Sequence, residues 1–155
     1  MTLDSFDIAI LNHLRVDARI SWAKLGEHIN LSASATQRRV QSLEQAGIIR
    51  HFTIALDSAA LGQEVRAFVQ VKITRHDSQA ATQFKQAVLT YPEVQACHKI
   101  SGNTDFMLNV TAKDLPSFSQ FLENKILYLP GVKDASSSIV LESIKEYGQP
   151  VRRTQ

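Results

Sequence analysis

Five small side chains and two arginines crowd into Leu31–Gln41, LSASATQRRVQ. Small residues remove bulk from a helix end, and adjacent guanidiniums concentrate positive charge. Together they suit close approach to a large polyanion. With Val40 set inward and about 100° of rotation per residue, Arg38 falls on the opposite side. Ser34 and Ala35 share that outer side, and Gln37, Arg39 and Gln41 flank it. Short side chains would let the helix end enter a major groove, where Arg38 can reach guanine O6 and N7. Ser32 begins the helix, and the partial positive charge of the N-terminal amides suits phosphate. The DNA-facing set is therefore Ser32, Ser34, Ala35, Gln37, Arg38, Arg39 and Gln41. Arg38 is expected to read a base, and Arg39 to strengthen binding to DNA of any sequence.

A second candidate is Ser101–Asp105, SGNTD. Its plain reading is a hairpin turn, which Gly-Asn favours. Its functional reading is one wall of a pocket for a small zwitterion. Turn amides around Gly102, Asn103 and Thr104 would meet a carboxylate, and Asp105 would meet an ammonium. Ser136, Ser137 and Ser138 would add hydrogen bonds if the last strand lies close by. Asp105 could equally brace the hairpin by bonding its own turn amides. Cys97-His98 does not read as a metal or catalytic pair, because strand neighbours point to opposite faces. No other cysteine exists, and His13, His28, His51 and His76 are scattered. No nucleophile triad, nucleotide loop or paired-carboxylate pattern stands out, so neither an enzyme nor a bound cofactor or metal is expected.

The elements that must position these residues follow from periodicity. Asp4 can cap a helix with Ile8, Leu11 and Leu14 at helical spacing, ending near Asp17. Ser21 caps a second, with Trp22, Leu25 and Ile29 inward, and Asn30 tolerates the tight left-handed turn that follows. Ser32 opens a third, with Thr36, Val40 and Leu43 on one face, stopped by Gly47. Ile48–Asp57 then turns β-like. Three short helices and an extended strand outline a winged helix-turn-helix.

The small, polar stretch Ser58–Glu64 marks a boundary, dividing residues 1–62 from 63–155. Beyond it, Val65–Thr74 alternates Ala67, Val69, Val71 and Ile73 against Phe68, Gln70 and Lys72, a strand with one buried face. A helix with Phe84 and Val88 inward follows, then strands near Val94–Ser101 and Phe106–Ala112. A helix from Asp114 buries Phe118, Phe121 and Leu122, and a last strand runs from about Lys133 to Ile144. Each half is strand, helix and a Pro-containing stop, YPEV then LPGV, that feeds the next strand. Two such units in one antiparallel sheet give a βαββαβ, ferredoxin-like domain, hence an α+β protein. Its outer sheet face, with Phe68, Met107 and Ile139, should be covered by another subunit.

Composition sets limits on function. The 155 residues carry a formal net charge of only +2, so any nucleic-acid surface is local. The single cysteine forbids an intrachain disulfide. The opening MTLDSFDIAI has acids where a signal peptide needs bases, and no apolar run approaches the ~18 residues of a membrane span. A cytoplasmic protein is expected.

The stretches LDSFDIAILNHLRVDARIS, LSASATQRRVQSLEQAGIIRHFTIALD, YPEVQACHKISGNTDFML and LPGVKDASSSIVLESIK together resemble the Lrp/AsnC (feast/famine) transcriptional regulators. The resemblance runs through nearly the whole chain. It implies a DNA-binding winged helix-turn-helix, a hinge strand and a C-terminal regulatory (RAM) domain. It also implies homodimers assembling to tetramers, octamers or larger rings, and an amino-acid effector bound between dimers near the Gly-x-x-Asp turn, here Gly102 to Asp105. Ala33 and Asn30 stand where the family often has Pro and Gly, and Thr104 where an aromatic is frequent. The expected function is a sequence-specific, effector-responsive regulator binding double-stranded DNA. The alternative is a largely sequence-neutral, DNA-wrapping nucleoid protein of the same fold.

Overall fold

The computed structural model describes residues 2–74 and 78–145, so His76 lies outside the described residues. Two compact units emerge, the first of residues up to Ala55 together with Ile144 and Lys145, the second spanning Leu56–Ser143. The division falls just before the polar stretch 58–62, which folds as a turn closed by Gln63 N–H donating to Ser58 O at 2.8 Å.

The first unit is three helices: α1 (Ser5–Val16), α2 (Trp22–Ile29) and α3 (Ala33–Gln45). Each begins where a side-chain oxygen can take a free backbone amide. Asp4 caps α1 as half of a reciprocal capping box with Asp7, Ser21 caps α2, and Ser32 caps α3. Asn30 takes the left-handed conformation (φ 57°, ψ 44°) that ends α2. Gly47 (φ 70°) ends α3: Gly47 N–H donates to Glu44 O and Ile48 N–H to Leu43 O, each at 2.9 Å. That pair of bonds is a Schellman closure, which needs a residue free to adopt positive φ.

The core of this unit is Ile10, Leu14, Leu25, Ile29, Val40 and Leu43. The inward face of α1 is Asp7, Ile10 and Leu14, so Ile8, expected inward, is 46% exposed. Leu14 is buried as expected and Leu11 packs partly against the core, while Asp7 takes the inward place expected of Ile8 and meets a cationic partner on α3, described below.

The strand expected over Ile48–Asp57 does not form. Phe52, Ile54 and Leu56 alternate as a strand would, yet all are exposed. An extended segment becomes a strand only when another backbone meets its amides and carbonyls, and no described strand of this chain pairs with it.

The second unit is the expected βαββαβ sandwich. β1 (Val65–Ile73), α4 (Ser78–Val88), β2 (Val94–Lys99), β3 (Phe106–Ala112), α5 (Leu115–Phe121) and β4 (Val132–Ile139) follow in order, with a π-helical turn over Leu122–Ile126. The sheet is antiparallel throughout, in the order β2-β3-β1-β4. Odd-numbered residues of β1 are buried beneath Phe84, Val88, Phe118, Phe121 and Ile126, which places both helices over one face. On the other face Phe68 is 42% exposed, in register with Asn109 and Ser138, while Gln70 pairs with Met107 and Ser136. Ile139 is not on that open face. It pairs with the buried Ala67, so it points to the helix side and is exposed only because β4 is an edge strand. β4 also stops at Ile139, short of the expected Ile144.

Candidate functional site

The N-terminal half of α3 is presented as its periodicity requires. Thr36, Val40 and Leu43 are buried, while Ser34, Gln37, Arg38 and Gln41 are exposed and Ala35 is half-buried. Ser32 spends its hydroxyl on the helix cap, accepting Ala35 N–H at 3.2 Å, and lies 3.2 Å from the Ser34 hydroxyl. Among the described residues the Arg38 guanidinium meets no acceptor. Its carbonyl also accepts Ser42 O–H at 3.0 Å. A free guanidinium flanked by short polar side chains at a helix N-terminus has the geometry for base-edge contacts in a major groove.

Arg39 is placed differently from the flanking DNA contact expected of it. Its Nη1 lies 2.8 Å from Asp4 Oδ2 and 2.8 Å from Asp7 Oδ1, and its guanidinium carbon sits 5.2 Å from the centroid of the Phe6 ring. The Asp7 side chain is only 4% exposed. A nearly buried carboxylate requires a cation or strong donors, and Arg39 supplies that cation. Asp4 is held below its ordinary carboxylate range, first by accepting the Asp7 N–H and then by Arg39. The guanidinium is raised in turn by its bonds to Asp7 and Asp4.

Two residues that shape this site were not singled out from the sequence. Asp7 was one, although Asp4-x-x-Asp7 ahead of an apolar run is a capping-box pattern. Gly26 was the other. A Cβ there would collide with the Leu31 carbonyl oxygen and lie 3.1 Å from Thr36 Oγ1. Only glycine lets α2 approach the turn into α3 so closely, and Thr36, fully buried, fixes that turn by donating its hydroxyl to Ser32 O at 3.0 Å.

The Ser101–Asp105 turn joins β2 to β3. Ser101, Gly102 and Asn103 are exposed, Thr104 is half-buried, and Gly102 has φ 123°, a region closed to most side chains. Asp105 does not bond its own turn amides. Its Oδ2 accepts Ile73 N–H at 2.8 Å and its own N–H donates to Val71 O at 2.9 Å, both on β1. Ser136, Ser137 and Ser138 do not join the turn within one chain. β1 and β3 lie between β4 and β2 in the sheet, and at ~4.8 Å per strand the nearer strand, β3, is about 10 Å from β4. Ser136 and Ser138 instead share the open face with Gln70 and Phe68, while Ser137 faces the helix side opposite Val69.

Cys97 pairs with Leu108 and packs toward the core, where burial raises its thiol pKa against a smaller opposing pull from Lys85. His98 pairs with Met107 on the other face. The two neighbours therefore diverge. Among the described residues no three His, Cys, Asp or Glu side chains gather to hold a metal, and no helix is long and apolar enough to cross a membrane.

Comparison with known proteins agrees with this geometry. Residues 3–44 match the AsnC-type helix-turn-helix domain, and residues 66–150 match the Lrp/AsnC ligand binding domain. The chain is 33% identical over 142 residues to the Bkd operon transcriptional regulator of Pseudomonas aeruginosa, covering 92% of this chain and 93% of that protein. It is 33% identical over 153 residues to the leucine-responsive regulatory protein of Escherichia coli, covering 99% and 93%. Its fold is similar to that of a Neisseria meningitidis transcriptional regulator in complex with L-Met, with a TM-score of 0.91 and 36% identity over 97% of this chain and 98% of that one. An AsnC family regulator of Agrobacterium tumefaciens superposes with a TM-score of 0.87 at 28% identity, covering 96% of each chain. A helix-turn-helix with a free arginine on its third helix, joined to a βαββαβ unit and matched along its length by regulators, has one family reading: the chain belongs to the Lrp/AsnC family of transcriptional regulators.

Proposed function

We propose that this regulator is a sequence-specific, double-stranded-DNA-binding transcription factor whose occupancy of DNA is tuned by an amino acid. The observation that carries the reading is the outer face of α3, where Arg38, without a partner among the described residues, stands beside Ser34, Ala35, Gln37 and Gln41. In this reading Arg38 reads a guanine edge, the three polar side chains make further groove or phosphate contacts, and the capped end carrying Ser32 lies against the backbone. Arg39 is left out of the contacting set because two carboxylates already occupy it.

The amino-acid effector is supported by the ligand binding domain matched over 66–150 and by the related regulator bound to L-Met. The exposed turn amides of Ser101–Asn103 are the carboxylate wall, and Asp105 holds that wall in place through β1. The polar side chains of Thr104, Ser136 and Ser138 complete the pocket only if a second chain brings its own surface to the turn. The open sheet face around Phe68 and Met107 supports a homodimer, itself the unit of larger assemblies, and a dimer presents two α3 helices to two half-sites. The protein acts in the cytoplasm, as a regulator and not an enzyme.

The nucleoid-type alternative is not favoured, since one relative is named as the regulator of an operon and another as a leucine-responsive regulatory protein. Selection of bound duplexes from a random-sequence pool, with and without each amino acid, tests the reading. A shared sequence motif and a shift in affinity with one amino acid are expected. Recovery of unrelated sequences would defeat it.

A further inference from the structure

We propose that Arg39 is a positioning residue for DNA readout: it clamps α3 to the first turn of α1 by neutralising Asp4 and Asp7, and does not itself contact DNA. The proposal rests on α3 being the reading helix.

Three residues of one helical turn converge on this single side chain. Asp4 and Asp7 each place a carboxylate oxygen 2.8 Å from Nη1, and the Phe6 ring lies under the guanidinium. The carboxylates also serve α1 itself: Asp4 Oδ1 accepts Asp7 N–H at 2.9 Å, and Asp7 Oδ2 accepts Asp4 N–H at 3.2 Å. The start of α1 and the reading helix are therefore parts of one hydrogen-bonded cluster. Asp7 is 4% exposed and Arg39 30%, while Asp4, at 48%, lies on the solvent side of the cluster.

Neighbouring residues on a helix point about 100° apart. Holding Arg39 against α1 therefore sets the rotation of α3 about its own axis, and with it the direction of Arg38. Charge adds a second effect. Without Arg39, a nearly buried carboxylate would lose its counter-charge, which is costlier than never having had the pair. Two uncompensated acids would also stand near the surface that phosphates approach.

A phosphate contact and a clamp make different predictions for salt. Each phosphate contact contributes about −0.9 to the slope of log affinity against log salt. The test uses full-length protein and the duplex most enriched by the wild type from a random pool. Arg39→Met should weaken binding about tenfold or more with an unchanged salt slope. Arg39→Met/Asp7→Asn, which removes the orphaned charge but not the loss of the clamp, should regain folding stability while its DNA binding stays weakened. Should Arg39→Met fail to fold, the double variant alone decides, its slope matching the wild type if the clamp is right. Undiminished binding by Arg39→Met, a slope shallower by about 0.9, or full recovery of binding in the double variant would overturn the proposal. If the wild type enriches no duplex, the reading of α3 fails and this proposal with it; if the wild type binds but the variants behave otherwise than stated, only the clamp fails.

Discussion

Asp105 and Ile73 are joined side chain to backbone: Asp105 Oδ2 accepts Ile73 N–H at 2.8 Å. With Asp105 N–H bonded to Val71 O, this extends the β1–β3 ladder past its last pair, Val71 and Phe106. It does so where the β1–β4 register shifts, between Lys72 and Ile73. The carboxylate thus fastens the candidate effector turn to the middle of the sheet. Asp105→Ala should destabilise the protein by about 1–3 kcal/mol, the cost of leaving a part-buried N–H unsatisfied. Asp105→Asn keeps an acceptor oxygen and should recover most of it. Denaturant titrations of both variants check this, and faster hydrogen exchange at Ile73 should accompany the alanine variant alone.

Gly26→Ala should cost about 1–3 kcal/mol or more, the range for forcing an extra carbon into a packed site. Its methyl meets a backbone carbonyl, Leu31 O, which cannot swing aside as a side-chain tip could. Thermal unfolding followed by circular dichroism measures the loss, and DNA binding should fall with it because the turn into α3 is displaced.

Arg38→Ala should leave stability unchanged and remove preference at one base position, worth about 1–3 kcal/mol. The reason is that its guanidinium has no partner among the described residues to lose. Gel shifts with point-substituted duplexes measure that preference directly.

Acid should loosen the α1 cluster in a defined window. The Asp4 pKa is lowered on folding from an ordinary 3.8, so its contribution is complete above that value. It is lost as pH falls through 3.8 toward the lower folded value, because the unfolded chain then binds the proton more readily. Asp4→Asn should remove this part of the pH dependence. Stability measured from pH 6 down to about pH 2, wild type against variant, should show two curves that converge at the acid end.

Phe68→Asp should convert the proposed dimer to monomer without unfolding the chain. Phe68 is 42% exposed at the centre of the open sheet face, so a carboxylate there meets water in the monomer. In a dimer it would be desolvated without a partner. Sedimentation velocity distinguishes the two states.

Much of this was legible in the sequence because local rules and burial agreed. The Ser32 cap, the Thr36–Val40–Leu43 stripe and the Gly47 stop fixed α3, and the alternation in β1 survived unchanged into the sheet. What escaped was whatever depended on a distant partner. Ile8 looked inward, but Asp7, paired with Arg39 across the unit, takes the inward place. Ile48–Asp57 has the alternation of a strand but no described strand to bond. The serines of β4 fit a polar pocket by type, but within one chain strand order keeps them from the turn. Arg39 read as a flanking DNA contact because its two acids lie more than thirty positions away.

The most direct measurement is footprinting of the wild-type protein across bacterial genomic DNA, with and without each of the common amino acids. A sequence-specific, effector-responsive regulator should protect discrete sites sharing a motif, about 10³-fold or more above background affinity. At least one amino acid should shift their occupancy. Even protection along the DNA, with no motif and no response to any amino acid, would contradict the account.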